Sequence, residues 1–294
     1  MTICASCRTL IRHPFQPAFT SGLLFILLFY LESFVPTHYI GPMIRIGALI
    51  SGSGTNLAAV MRACDSGTIN GQVVFVGSDN PAATGLEKAE NQGIPTFVVD
   101  YTRIIGAFRA RPDAQPLPPD FDLQKVAAFL PNKSPAFLKT RVIAEAALLA
   151  NMAEHSFDLL ILAGFMRNLT PYFIDRVNMD PARPRIMNIH PALLPAFPGT
   201  DGYGDTFRYG CKVGGCTVHF IDYGEDTGPI IGQKAFTILP EDTIDTIREK
   251  GLKLEWELFP ECIQLFAENR LKIESREIGE KDGKPVTRNV VTVA

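Results

Sequence analysis

Ile44-Arg45-Ile46-Gly47-Ala48-Leu49-Ile50-Ser51-Gly52-Ser53-Gly54-Thr55-Asn56-Leu57 joins a nearly unbroken apolar run to a glycine-rich turn and then to a helical pattern continued by Val60 and Met61. A short apolar run closed by Ser and Gly reads as a strand buried on both faces, which is the signature of a parallel sheet with helices above and below it. The same alternation recurs downstream. Val73 to Gly77 reads as a strand, Ala83 to Gln92 as a helix, and Thr96 to Val99 as a third strand after Ile94-Pro95. Leu159 to Leu162 and Ile186 to Ile189 extend the sheet. Strand, helix, strand in this order demands right-handed crossovers, so the expected fold class is α/β, a mostly parallel twisted sheet with helices on both faces. Thr217 to Ile221 and Ile230 to Ile238, separated by an acidic, turn-rich segment, are expected to add a more antiparallel part, and the last long helix is expected from about Thr243 to Ala267.

The chain has 294 residues, is 46% apolar and carries a net charge of -3, which suits one large domain with a full core. No block of lysine or arginine marks a nucleic-acid surface. Four regions are expected. Residues 1–42 read as an N-terminal extension outside the fold, and residues 43–275 as the body. Within the body, residues 103–135 form a proline-rich surface insertion, and residues 276–294 a C-terminal tail in which Gly279 to Lys284 separates the body from Val290 to Val293. In the extension, Leu23-Leu24-Phe25-Ile26-Leu27-Leu28-Phe29-Tyr30-Leu31 is well short of the roughly 20 residues that span a bilayer. A basic lead-in fits a secretory signal, yet Glu32 follows at once and no small-residue cleavage site does. The six scattered cysteines read as reduced thiols of a cytoplasmic protein. Cys4-Ala5-Ser6-Cys7 has metal-pair spacing without a second pair, and no metal is expected.

Ser51-Gly52-Ser53-Gly54-Thr55-Asn56 lies where a strand hands over to a helix, where backbone N–H groups and the helix dipole favour an anion. Leu57 stands where a dinucleotide fingerprint needs its third glycine, and no Gly-Lys-Ser/Thr follows. Two readings therefore remain: a cradle for a phosphate monoester, or a tight turn with an N-cap.

Asn188 and His190 end a strand-like run two residues apart, so they project to one face. Pro191, Pro195 and Pro198-Gly199 then force the chain out of the sheet into a loop. Asp226, in Asp222-Tyr223-Gly224-Glu225-Asp226-Thr227-Gly228-Pro229, is a candidate third member. An amide can stabilise charge growing on a carbonyl oxygen, an imidazole can donate or move a proton, and a carboxylate can fix its tautomer. That is equipment for acyl transfer. No serine or cysteine sits in a nucleophile elbow, which points to direct attack by a bound amine. His219, on the apolar strand Thr217-Val218-His219-Phe220, is read as structural. The spacing of His190, His219 and Asp226 matches no metal motif.

Four motifs resemble those of the phosphoribosylglycinamide formyltransferases. They are Leu49 to Leu57, then Leu162-Ala163-Gly164-Phe165-Met166-Arg167-Asn168-Leu169-Thr170-Pro171, then Asn188-Ile189-His190-Pro191-Ala192-Leu193-Leu194-Pro195, then Asp226-Thr227-Gly228-Pro229. The resemblance covers most of residues 43–274. It implies a Rossmann-like formyltransferase fold and formyl transfer from 10-formyltetrahydrofolate, as co-substrate, to the amine of glycinamide ribonucleotide, with small molecules rather than nucleic acid or a membrane as partners. By the same resemblance Asn188, His190 and Asp226 form the catalytic set, and Gly54, Thr55 and Asn56 hold the substrate phosphate. Glu255 binds the glycinamide end, and Arg141, Met166, Arg167, Asn168, Leu169 and Asn188 meet the folate. The extension, the proline-rich insertion, and Trp256 in place of a histidine depart from the pattern. A formyltetrahydrofolate hydrolase and a methionyl-tRNA formyltransferase resemble the Asn-x-His segment too, and a non-catalytic phosphoribosyl-binding module would need only the turn.

Overall fold

The computed structural model describes residues 41–294. The apolar run before Glu32 and the Cys4–Cys7 pair lie outside the described residues. Seven strands form the central sheet: β1 (Ile44–Ile50), β2 (Gly71–Ser78), β3 (Thr96–Val98), β4 (Leu159–Leu162), β5 (Ile186–His190), β6 (Val213–Phe220) and β7 (Ile230–Thr237). Their spatial order is β3-β2-β1-β4-β5-β6-β7. The pairs from β3 to β5 are all parallel, and β6 runs antiparallel to both β5 and β7. The helices are α1 (Thr55–Asp65), α2 (Gly85–Glu90), α3 (Tyr101–Ala110), α4 (Leu123–Phe129), α5 (Pro135–Met152), α6 (Pro171–Val177), α7 (Gly202–Arg208) and α8 (Ile244–Ala267).

The expected two-faced burial is present. On one face Ile46, Ala48 and Ile50 of β1 pack with Leu57 and Val60 of α1, Leu86 of α2 and Phe259 and Ile263 of α8. On the other, Leu49 and Phe75 pack with Tyr101 of α3, Leu148 of α5 and Phe173 of α6. Alternate residues of one strand thus feed two cores, which is why the sequence of β1 shows no polar face.

Two regions are more ordered than their sequences suggest. Residues 103–135 include most of α3, all of α4 and the start of α5, and Val126 packs with Leu138, Val142 and Tyr172 in a small core of its own, flanked by Phe121 and Leu130. Residues 276–294 are part of a long hairpin of β8 (Leu271–Lys281) and β9 (Lys284–Val293). Asp282 and Gly283 both have positive φ, 53° and 72°, the conformation of the two-residue turn that Asp-Gly favours. Ile273 and Val291 fasten the hairpin to the first core.

Glu145 of α5 is fully buried and accepts hydrogen bonds from the backbone N–H of Thr170, at 2.7 Å, and from its hydroxyl. Thr170 is the N-cap of α6, so this carboxyl ties α5 to the loop after β4. Burial pushes the Glu145 carboxyl up from 4.5 to about 7, outweighing the two bonds from Thr170 that favour its charged form. The folded state therefore holds this proton more tightly than the unfolded chain. Its contribution to stability is complete below about pH 4.5 and is lost as pH rises through about 7. Relative to Glu145→Gln, the wild-type chain should lose on the order of 3 kcal/mol between pH 5 and pH 8. Urea unfolding of both proteins at the two pH values reads this directly, and parallel pH dependences would contradict it.

Candidate active site

A cleft of about 500 Å³ opens at the carboxyl ends of β1, β4 and β5. Strand order reverses between β1 and β4, and a doubly wound sheet leaves a crevice at such a point because its connections diverge to opposite faces. The loops after these two strands are stitched together. The Ser51 N–H donates to the Gly164 carbonyl at 3.1 Å, and the Met166 N–H donates to the Ser51 hydroxyl at 2.8 Å.

Period-two geometry sends Met187 and Ile189 into the first core and leaves Asn188 and His190 on the opposite face, lining the cleft. Asp226 comes from the loop between β6 and β7. Its φ is 53°, and its carboxylate Oδ2 accepts the Gly199 N–H at 2.8 Å while lying 3.3 Å from His190 Nδ1. Two residues on, a Cβ at Gly228 would stand 1.8 Å from the Phe220 carbonyl, so only glycine lets this loop close against β6. His190 is 2% exposed, and its Nε2 donates to the Phe197 carbonyl at 2.8 Å. Each ring nitrogen thus faces an oxygen, which fixes the orientation of the ring.

His219 is fully buried, as its structural reading expects, and it also touches the cluster. β6 pairs with β5 so that His219 stands directly opposite Asn188. Its Nδ1 donates to the Phe220 carbonyl at 2.9 Å, which leaves the Nε2 lone pair to accept the Asn188 amide at 3.1 Å. Burial pulls the His219 ring toward its neutral form, against the Phe220 carbonyl and the Asp226 charge that favour protonation. A neutral Nε2 is the form that fixes the amide: it holds one N–H of Asn188 and leaves the other free. Cross-strand pairing is the signal that finds this residue, and it becomes visible only once β5 and β6 are placed in register. His219 Nε2 is also 3.6 Å from Asp226 Oδ1. No group of three or more His, Cys, Asp or Glu side chains suited to a metal ion occurs among the described residues.

At another part of the cleft Glu255, 4% exposed on α8, accepts from Asn56 Nδ2 and from the Tyr203 hydroxyl, each at 2.6 Å. Burial raises the Glu255 carboxyl, and these two donors work against the shift. Asn56 Oδ1 is buried without a partner, an acceptor suited to a ligand hydroxyl or amine. Gly54 and Thr55 lie in the turn just before Asn56, and of the three Asn56 alone lines the cleft. Trp256 turns its indole N–H into the protein, buried and without a partner among the described residues.

Met166, Arg167, Asn168 and Leu169 line the cleft beside Leu130, Lys133 and Tyr223. Met166 is 52% exposed there, an apolar platform for a flat ligand. Asn168 Nδ2 reaches Glu225 Oε1 at 3.2 Å, and the Phe129 and Tyr223 rings meet with centroids 4.5 Å apart, joining α4 to the Asp226 loop. The Arg167 guanidinium is paired with Asp79. Arg141 is not among the residues lining the cleft: its guanidinium stacks on Tyr101 and Phe137, 5.1 and 5.0 Å from the ring centroids.

A sequence profile of the formyl transferase family matches residues 44–263. The phosphoribosylglycinamide formyltransferase of Bacillus subtilis is 33% identical over 222 residues, covering 76% of this chain and 94% of that protein. The human trifunctional purine biosynthetic protein adenosine-3 is 31% identical over 229 residues, and the chain spans only 19% of its length. Among solved structures, glycinamide ribonucleotide transformylase 1 of Symbiobacterium toebii superposes with a TM-score of 0.61 at 36% identity, covering 83% of this chain and 94% of that one.

Proposed function

The chain belongs to the formyl transferase family, and from that premise we propose that it moves the formyl group of 10-formyltetrahydrofolate onto the amine of glycinamide ribonucleotide, a step of purine synthesis. The observation that carries this reading is the meeting of Asn188, His190 and Asp226 in one cleft that also holds Asn56 and Glu255. Asn56 Oδ1 and the Glu255 carboxyl are acceptors for the hydroxyl or amine groups of the ribonucleotide, and Gly54 to Asn56 lie where its phosphate would meet free N–H groups. Met166 to Leu169 offer the flat folate apolar and backbone contacts. Arg141, with one buried guanidinium nitrogen unpartnered among the described residues, is the arginine assigned to the folate. The single-function relatives supply the substrates of the proposal, and the four cysteines that are free among the described residues agree with a cytoplasmic setting.

The chemistry follows from the side chains. The amine lone pair attacks the formyl carbon, and the carbonyl electrons move onto its oxygen. The free N–H of Asn188 and the His190 ring, held between Asp226 and the Phe197 carbonyl, stabilise that oxyanion. Asp226 orients His190 and relays the amine proton toward the folate nitrogen, which leaves with the electrons of the breaking C–N bond as the carbonyl re-forms. Holding both substrates in one cleft removes the entropy of bringing them together.

The test is the full chain with both substrates, following folate absorbance. Conversion that requires the ribonucleotide is the expected result. Conversion without it would make the protein a hydrolase, and binding without conversion a phosphoribosyl-binding module.

A further inference from the structure

Three successive carbonyls lead into α1, and each accepts a hydrogen bond from the segment that follows β2. Asn80 Nδ2 donates to Ser51 at 3.1 Å, the Gly85 N–H to Gly52 at 3.1 Å, and Lys88 Nζ to Ser53 at 2.7 Å. A trans peptide carries its N–H opposite its carbonyl, so the N–H groups of Gly52, Ser53 and Gly54 turn away from that segment. Gly54 is left-handed at φ 64°, and a Cβ there would stand 2.9 Å from Gly85 Cα, so glycine is needed both for the turn and for the docking of α2. No side chain caps α1, and its first turn contains no acidic residue. Among the described residues, no acceptor meets the N–H groups of residues 52–57. Beside them, Asn56 is 8% exposed and lines the cleft with Oδ1 unpartnered.

Lys88 is the cationic member of this set. It is half-buried on α2, and among the described residues no carboxylate pairs with it. We propose that Lys88 is a positioning residue of the substrate's phosphate cradle: its ammonium fixes the Ser53 carbonyl, turns the Ser53–Gly54 peptide N–H toward the phosphate, and leaves a positive charge behind that peptide. The inference rests on the reading of the turn as a phosphate site and assigns its charge to a residue outside the turn. The ligand class is a phosphate monoester, whose two negative charges a charge-assisted donor set binds more tightly than neutral amides alone.

The experiment compares glycinamide ribonucleotide with its unphosphorylated riboside as acceptors for the full chain and for Lys88→Met, Lys88→Gln and Lys88→Arg. Both neutral variants should raise KM for the ribonucleotide on the order of tenfold or more. KM for the folate and kcat at saturation should stay within about twofold, since the lysine does not touch the reacting atoms. The wild-type preference for ribonucleotide over riboside should shrink by the same factor, and arginine should restore most of it. An unchanged ribonucleotide KM in both neutral variants, or an equal loss for ribonucleotide and riboside, would overturn the proposal. If the wild-type chain showed no preference for the phosphorylated acceptor, the phosphate reading of the turn would itself fail, and the Lys88 proposal with it.

Discussion

Replacing His190 by alanine in the full chain is expected to lower kcat for formyl transfer on the order of a thousandfold, with KM for both substrates changed by less than about threefold. The ring is almost fully buried between the Phe197 carbonyl and Asp226, so its removal deletes the group beside the oxyanion without deleting a substrate-binding surface. Asp226→Asn should fall nearly as far, because an amide cannot relay the amine proton. The double variant should lose little more than either single one, as residues acting as a unit are strongly non-additive. Steady-state kinetics on the three proteins decide the point. A kcat within tenfold of wild type for His190→Ala, or fully multiplicative losses, would contradict the assignment.

Asn188→Ala is the second large effect, expected to cost about a hundredfold to a thousandfold in kcat, the loss typical of one oxyanion donor. His219 gives this prediction a finer form. It touches the Asn188 amide rather than the substrate, so His219→Phe should leave the amide present but unheld, with a kcat loss on the order of tenfold. In an Asn188→Ala background, His219→Phe should then cost almost nothing. Equal losses in both backgrounds would show that His219 acts through packing alone.

Much of this was legible before any coordinates. The apolar run of β1 feeds two cores, and that left its mark as an absence of polar residues from the strand. Asn188 and His190 share a face because strand geometry has period two, and Pro191 marks where the chain leaves the sheet. Glu255 depended on the family resemblance, since no local pattern distinguishes it from other helical glutamates. The contact of His219 with Asn188 is not visible in sequence, since its neighbours there are apolar and Asn188 lies across a strand pair 31 residues away. The C-terminal hairpin has a signal in Asp282-Gly283, the turn between its two strands. The proline-rich segment hid a small core because its apolar residues, Phe121, Val126 and Leu130, complete a cluster only with α5 and α6. Arg141 depended on the resemblance as well; its guanidinium stacks on Tyr101 and Phe137 and keeps one buried nitrogen without a partner among the described residues.

Direct transfer between two bound small molecules is the central claim, and a single turnover tests it most closely. The full chain, in excess over folate carrying an isotopic label on the formyl carbon, is mixed with glycinamide ribonucleotide and quenched over time. Label should pass from folate to the ribonucleotide amine in equal amounts, with none on the protein and none released as formate. Protein-bound label that rises and then falls, or formate as the main product, would contradict the account.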